Sequence, residues 1–277
     1  MKSYLLGVSV ALLLAGCGGG SGSGGSDSNN SGSGGEQEID GGGGNTELPE
    51  SPILPAPGDP IEETPSPTNS SACFNEDLYI VGVTVVTEEE VYLDGTQLEN
   101  YSETTEVIQI TSYRGYTDVI EEKITSGEGN ISSLYITADT VAKTITTLGQ
   151  ILDEDEITYH PSGLPLDYDI NLGEKKTYPT VTEQTNGVVT NTGEYSYEFV
   201  RTESVTVPAG TFDTCVMELV FDGVSSDGFS SNTVVTQYVG VGNGMTIKED
   251  FVTVTGDGET FTGSDVLVSA TINGNPI

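Results

Sequence analysis

The stretch EYSYEFVRTESVTVPAGTFDTCVMELVF, residues 194–221, decides the fold. It reads as two strands folded back on each other around Val207-Pro-Ala-Gly210. In the second strand Cys215, Met217, Leu219 and Phe221 share one face, while Thr214, Val216, Glu218 and Val220 share the other. The first set is the better core face, which turns Cys215 inward. In the first strand Tyr195, Tyr197 and Phe199 line up on one side. That aromatic row is either core or the floor of an apolar groove.

The same texture continues in both directions. Leu78–Val86 is a β-branched run, and Glu106–Tyr113 alternates Val107 and Gln109 against Ile108 and Ile110. Further candidate strands cover 116–124, 131–137, 141–148, 157–160, 178–183, 188–190, 233–239, 245–255 and 266–272. Gly or Asn punctuates them, as at Gly127-Glu-Gly129, Asn186-Gly187 and Gly256-Asp-Gly258. No window has a convincing helical period; the nearest is a short helix at 148–151. About a dozen short strands at regular spacing predict an all-β domain, a curved antiparallel sheet forming a half-barrel or a sandwich.

The first quarter of the chain is different. Residues 18–35 are almost all Gly and Ser, and a proline-rich run follows from Pro49 to Pro67. With few large apolar side chains, no core offsets the ordering entropy. A flexible coil followed by a stiffer spacer is expected, spanning roughly 40 Å from end to end. Ahead of it lie Lys2, an apolar run over 4–14, and Leu14-Ala15-Gly16-Cys17. That run is too short to cross a bilayer, which takes about 20 residues. It resembles the lipobox of bacterial lipoproteins, in which Cys17 is lipidated on sulfur and becomes the first mature residue. Gly18 is not the aspartate that resembles an inner-membrane retention signal, so the outer membrane is expected, with the domain facing periplasm or surface. The organisation is therefore 1–16 signal peptide, 17–71 tether, 72–277 one all-β domain.

Loss of Lys2 with the signal leaves 8 − 1 = 7 basic against 43 acidic residues, a net charge of 7 − 43 = −36. Nucleic acid and anionic membrane faces repel such a chain. With Cys17 taken by lipid, Cys73 and Cys215 are the one possible intramolecular pair among three cysteines. Export to an oxidising compartment favours a disulfide between them; the alternatives are two buried thiols or a mobile Cys73.

Little points to chemistry. His160, the single histidine, precedes Pro161 at a strand end, and no Gly-x-Ser-x-Gly elbow supplies a nucleophile beside it. One histidine and one cysteine pair make a poor zinc set. Asp153-Glu-Asp-Glu156, and Asp222 with Asp227, lack the spacing of a calcium loop and read as solvated acidic turns. Gly240-Val-Gly242-Asn-Gly244 follows a strand but precedes another strand, so it makes a tight turn and not a phosphate loop. No metal, cofactor or catalytic residue is expected.

Three segments carry a wider resemblance. They are Leu164-Pro-Leu-Asp-Tyr-Asp-Ile-Asn-Leu-Gly-Glu-Lys-Lys176, Val205-Thr-Val-Pro-Ala-Gly-Thr-Phe-Asp-Thr-Cys215 and Tyr238-Val-Gly-Val-Gly-Asn-Gly-Met-Thr-Ile-Lys248. In that order they resemble a group of uncharacterised bacterial envelope proteins and lipoproteins. The resemblance implies a curved antiparallel half-barrel, the shape that carries lipids in lipoprotein-localisation factors. The expected function is a membrane-anchored lipoprotein presenting a non-enzymatic β domain with a binding or structural role. The alternative is a carrier or chaperone for an apolar ligand, lipid or lipoprotein, held over Tyr195, Tyr197 and Phe199. An enzyme acting on envelope glycans is the third reading.

Overall fold

A computed structural model describes residues 66–98 and 100–277. The expected signal peptide, Cys17 and the tether up to residue 65 lie outside the described residues. The strands are β1 (Thr84–Leu93), β2 (Thr96–Gln97), β3 (Tyr101–Tyr113), β4 (Tyr116–Ser126), β5 (Ile131–Asp139), β6 (Thr144–Leu152), β7 (Asp155–His160) and β8 (Leu164–Asp167). They continue with β9 (Lys175–Thr185), β10 (Val188–Val207), β11 (Gly210–Ser225), β12 (Ser230–Gly240), β13 (Thr246–Thr255), β14 (Thr260–Ile272) and β15 (Asn275–Pro276). Two single-turn 3-10 helices, Ser70–Cys73 and Glu76–Tyr79, precede them.

The strands form one antiparallel meander, running from β1 through β3–β7 and β9–β14, each beside its neighbour in sequence. β14 then pairs back onto β1, from Val85 opposite Ile272 to Leu93 opposite Gly263. The curved antiparallel sheet expected from the strand pattern is present, and its hydrogen-bonded ladder runs the full circuit. The short strands β2, β8 and β15 pair with β1, β6 and β14.

Turn chemistry accounts for much of this order. At Asn186-Gly187 both residues have positive φ, 51° and 78°, and Thr185 pairs directly with Val188. This is the two-residue hairpin whose twist matches that of its flanking strands. Asp94-Gly95, Arg114-Gly115 and Asn273-Gly274 repeat it. The segment at 148–151 lies within β6; its Thr144–Thr147 neighbours pair on one side with β5 and on the other with β8. Val188–Thr190 and Glu194–Val207 are one continuous 20-residue strand, not two. The run 78–86 becomes strand only from Thr84, because Gly82, at φ 91°, breaks it.

The hairpin at 194–221 has the register that its alternation predicts. Tyr195 stands opposite Phe221, Tyr197 opposite Leu219 and Phe199 opposite Met217. A bulge after Phe199 then sets Thr202 against Cys215. All seven of these strand-facing core positions, from Tyr195 to Phe221, are buried, with Phe199 and Cys215 fully so. They form the main core together with Tyr159, Leu164, Ile170, Val181, Val235 and Phe251. Gly193 and Gly223 pair across the same ladder, and the Phe221 ring lies over both, where a Cβ would collide with it. Smaller clusters lie at Val107, Ile120, Ile124, Leu134 and Ile136, and at Val207, Met245, Ile247, Leu267 and Ala270.

Candidate functional site

The segment 68–83 crosses from the β8–β9 connection to β3 as a strap. It is pinned at its start by Ser70 N–H donating to the Ile170 carbonyl at 2.8 Å, and by Leu172 N–H donating to the Thr68 carbonyl at 2.9 Å. Thr68, inside the segment 17–71 expected as tether, is thus hydrogen-bonded to the domain. Asn69 caps the first short helix by accepting from Ser71 N–H, and Asn75 caps the second by accepting from Asp77 N–H. Mid-strap, a disulfide joins Cys73 to Cys215 of β11, with Cα atoms 6.1 Å apart. Gly242 N–H donates to the Ala72 carbonyl, and Asn75 Nδ2 donates to the Asn243 carbonyl. At its end Gly82 N–H donates to the Val107 carbonyl, and Val107 N–H to that of Val83.

Gly240-Val-Gly242-Asn-Gly244 is therefore the β12–β13 turn, with φ of 81° at Gly242 and 71° at Gly244, and it is also an anchor for the strap. Gly244 lies so close to Asn75 that an added Cβ would come within 2.8 Å of the Asn75 Cβ.

Beneath the strap is a cavity of about 140 Å³. The strap contributes Phe74, Leu78 and Tyr79 to its wall, and Phe74 stacks between Tyr79 and Tyr168 with centroids 5.5 and 3.6 Å away. Leu134, Ile136 and Ile145 close one side; Met217, Val239 and Met245 close another. Of the aromatic row Tyr195, Tyr197 and Phe199, only Tyr197 reaches this wall. Tyr195 and Phe199 pack inside the main core, and the Tyr195 hydroxyl donates to the Pro165 carbonyl at 2.6 Å.

The polar part of the wall holds two acids, Glu122 and Asp167, beside Gln237 and the hydroxyls of Ser70, Thr105 and Thr147. Glu122 of β4 lines the cavity at 6% exposure, and burial, helped by the nearby charge of Glu103, pushes its carboxyl up to about 7. Tyr197 donates to Gln237 Oε1 at 3.3 Å, and Gln237 Nε2 donates to Glu249 Oε2 at 2.9 Å. Burial pushes Glu249 up to about 8, with Asp265, Glu89 and Asp250 adding to the rise and the Gln237 hydrogen bond opposing it. Asp265 stands opposite Glu249 across the β13–β14 ladder and is pushed up to about 6 by burial and by Asp250. The Tyr168 hydroxyl, also buried, has no hydrogen-bond partner. Among the described residues no group of three or more His, Cys, Asp or Glu side chains could hold a metal ion.

The remaining sequence candidates lie elsewhere. His160 ends β7, paired with Thr182, and its Nε2 is 3.2 Å from the Thr158 hydroxyl. Asp153 sits at the β6–β7 turn with φ 54°, and Glu156 is held by Arg114 and by the Tyr113 hydroxyl from the β3–β4 hairpin. Asp222 accepts from Asn232, and Asp227 from Ser225 in the β11–β12 turn. Sequence reasoning missed Glu122 in the wall and Glu249 behind Gln237. Their signal is a carboxylate inside an apolar alternation: Ile120-Glu122-Ile124 and Ile247-Glu249-Phe251.

Neither a protein-family model nor a curated protein matches the chain. Solved structures do. A candidate lipoprotein from Parabacteroides distasonis ATCC 8503 is similar at a TM-score of 0.39 and 12% identity, over 70% of this chain and 96% of that one. An exported protein with YmcC-like fold from Bacteroides fragilis NCTC 9343 gives 0.40 and 13%, over 69% and 96%. The hypothetical lipoprotein YmcC from Escherichia coli K12 gives 0.35 and 11%, over 70% and 87%. At these scores the likeness is one of outline and carries nothing about activity.

Proposed function

We propose that the chain is a lipoprotein of the bacterial outer membrane, fastened by lipid on Cys17, whose β domain has a non-enzymatic binding or structural role. The single observation that carries the domain's part is the state of its interior. Within a closed circuit of strands the main core is filled by Tyr195, Phe199, Met217, Leu219, Phe221 and their neighbours, and the cavity beneath the strap holds about 140 Å³. Pockets that enclose drug-sized ligands run to about 300–1,000 Å³, so the carrier reading, which needs room for an acyl chain, is the weaker one. The alternation supports a domain standing in water. Met217, Leu219 and Phe221 face the core, while Glu218 and Asp222 face away, the reverse of the pattern in lipid-facing barrels.

The anchor is tested by growth on radiolabelled palmitate, followed by membrane fractionation. Wild type should carry label and sediment with outer membrane; Cys17→Ala should carry none and be released or left unprocessed. An unlabelled wild-type chain, or a Cys17→Ala chain that still fractionates with membranes, would end the proposal.

A further inference from the structure

We propose that the cavity beneath the strap is a binding site for a small organic cation, a protonated amine on a compact apolar body about the size of benzene. Size comes first. The space is about 140 Å³, and a protein cavity of roughly 150 Å³ lined by Leu, Ile and Phe takes up one benzene molecule. The wall is largely of that kind, with Leu78, Leu134, Ile136, Met217 and Met245 among its members.

Polarity comes second. Glu122 is 6% exposed and lines the space. Its electrostatic surroundings are burial and the like charge of Glu103, with no hydrogen-bond donor among them. None of the residues lining the cavity is Lys or Arg. A buried carboxyl left without donor or cation is costly, and a ligand ammonium supplies both. Tyr168, on the same wall, carries a buried hydroxyl without a partner. Asp167, the other acid of the wall, and Glu103 beside Glu122 make the site hostile to carboxylates and phosphates and favourable to a cation. Burial holds Glu122 near neutrality in the empty site; an ammonium beside it favours the ionised form.

The chain supplies its own reporters. Of its three methionines, Met1 lies in the signal region, and Met217 and Met245 both line the cavity. Full-length chain labelled with methyl-¹³C methionine is titrated with benzylamine, toluene or benzoate at pH 7. Benzylamine should shift both methyl resonances, saturating at least tenfold below toluene, and benzoate should shift neither. Glu122→Gln should weaken benzylamine at least tenfold while toluene stays within twofold. The wild-type comparison of the three probes stands by itself if that variant fails to fold. Equal response to benzylamine and toluene, no response to benzylamine, or a Glu122→Gln chain that binds it as wild type does would each overturn the proposal. The lipid anchor is separate: an unlipidated chain can bind the amine, and a lipidated one can fail to.

Discussion

Raising the pH should weaken the barrel, and Glu249 allows the size of the effect to be worked out. The side chain is 4% exposed, and burial lifts its carboxyl from 4.5 to about 8 against the opposing hydrogen bond from Gln237. Because the folded value lies above the unfolded one, its contribution to stability is fully present below about pH 4.5 and lost as the pH climbs through 8. Inside that window each pH unit is worth about 1.4 kcal/mol. Going from pH 5 to 7 therefore removes about 3 kcal/mol through this one group. Glu122, lifted to about 7, and Asp265, lifted to about 6, act with the same sign. Urea unfolding of the oxidised full-length chain at pH 5, 6 and 7 should show a falling midpoint. Glu249→Gln keeps an acceptor for Gln237 and should flatten the dependence by about 1.4 kcal/mol per unit. A stability that is level or rises over this range, or a Glu249→Gln variant with the wild-type slope, would refute the reasoning.

Three other outcomes follow from the packing. Replacing Cys215 by Ser opens a loop between residues 142 apart and should cost about 5 kcal/mol in denaturant stability, matched by adding reductant to wild type. Phe199→Ala empties a fully buried core position and should cost about 3–5 kcal/mol in the same assay. Gly244→Ala forces a Cβ against Asn75 at a φ of +71°. It should cost about 1–3 kcal/mol and speed amide exchange in 70–79 ahead of the β10–β11 ladder.

Local chemistry accounts for what could be read in advance. Strict alternation over 195–199 and 215–221 gave the core face, and Asn186-Gly187 gave a hairpin turn, because both depend on neighbours a few residues away. Alternation failed as a guide where bulges intervene. Val107 is buried while Gln109, two residues on and on the same face by alternation, is exposed, because the β3–β4 register shifts between them. The β1–β14 closure had no local signal, since Val85 and Ile272 are 272 − 85 = 187 residues apart. The strap was hidden for a related reason. Phe74, Leu78 and Tyr79 have the composition of a strand, yet they serve as a roof, fixed by partners at 170, 215 and 242. Glu122 shares a strand face with Ile120 and Ile124, and Glu249 with Ile247 and Phe251, but which face of a strand points inward is settled only once the ring is assembled.

The pairing of β1 with β14 also has a consequence in time. A ribosome delivers the amino end first, so β1 must wait with one flank bare until almost the whole chain has emerged. Contacts this distant in sequence make folding slow, and an unmatched strand edge is a template for the wrong neighbour. The final seam cannot be sewn before synthesis is nearly complete. A chain cut short before residue 260 would lack all of β14 and keep that flank open for good, the kind of product that ends as an aggregate.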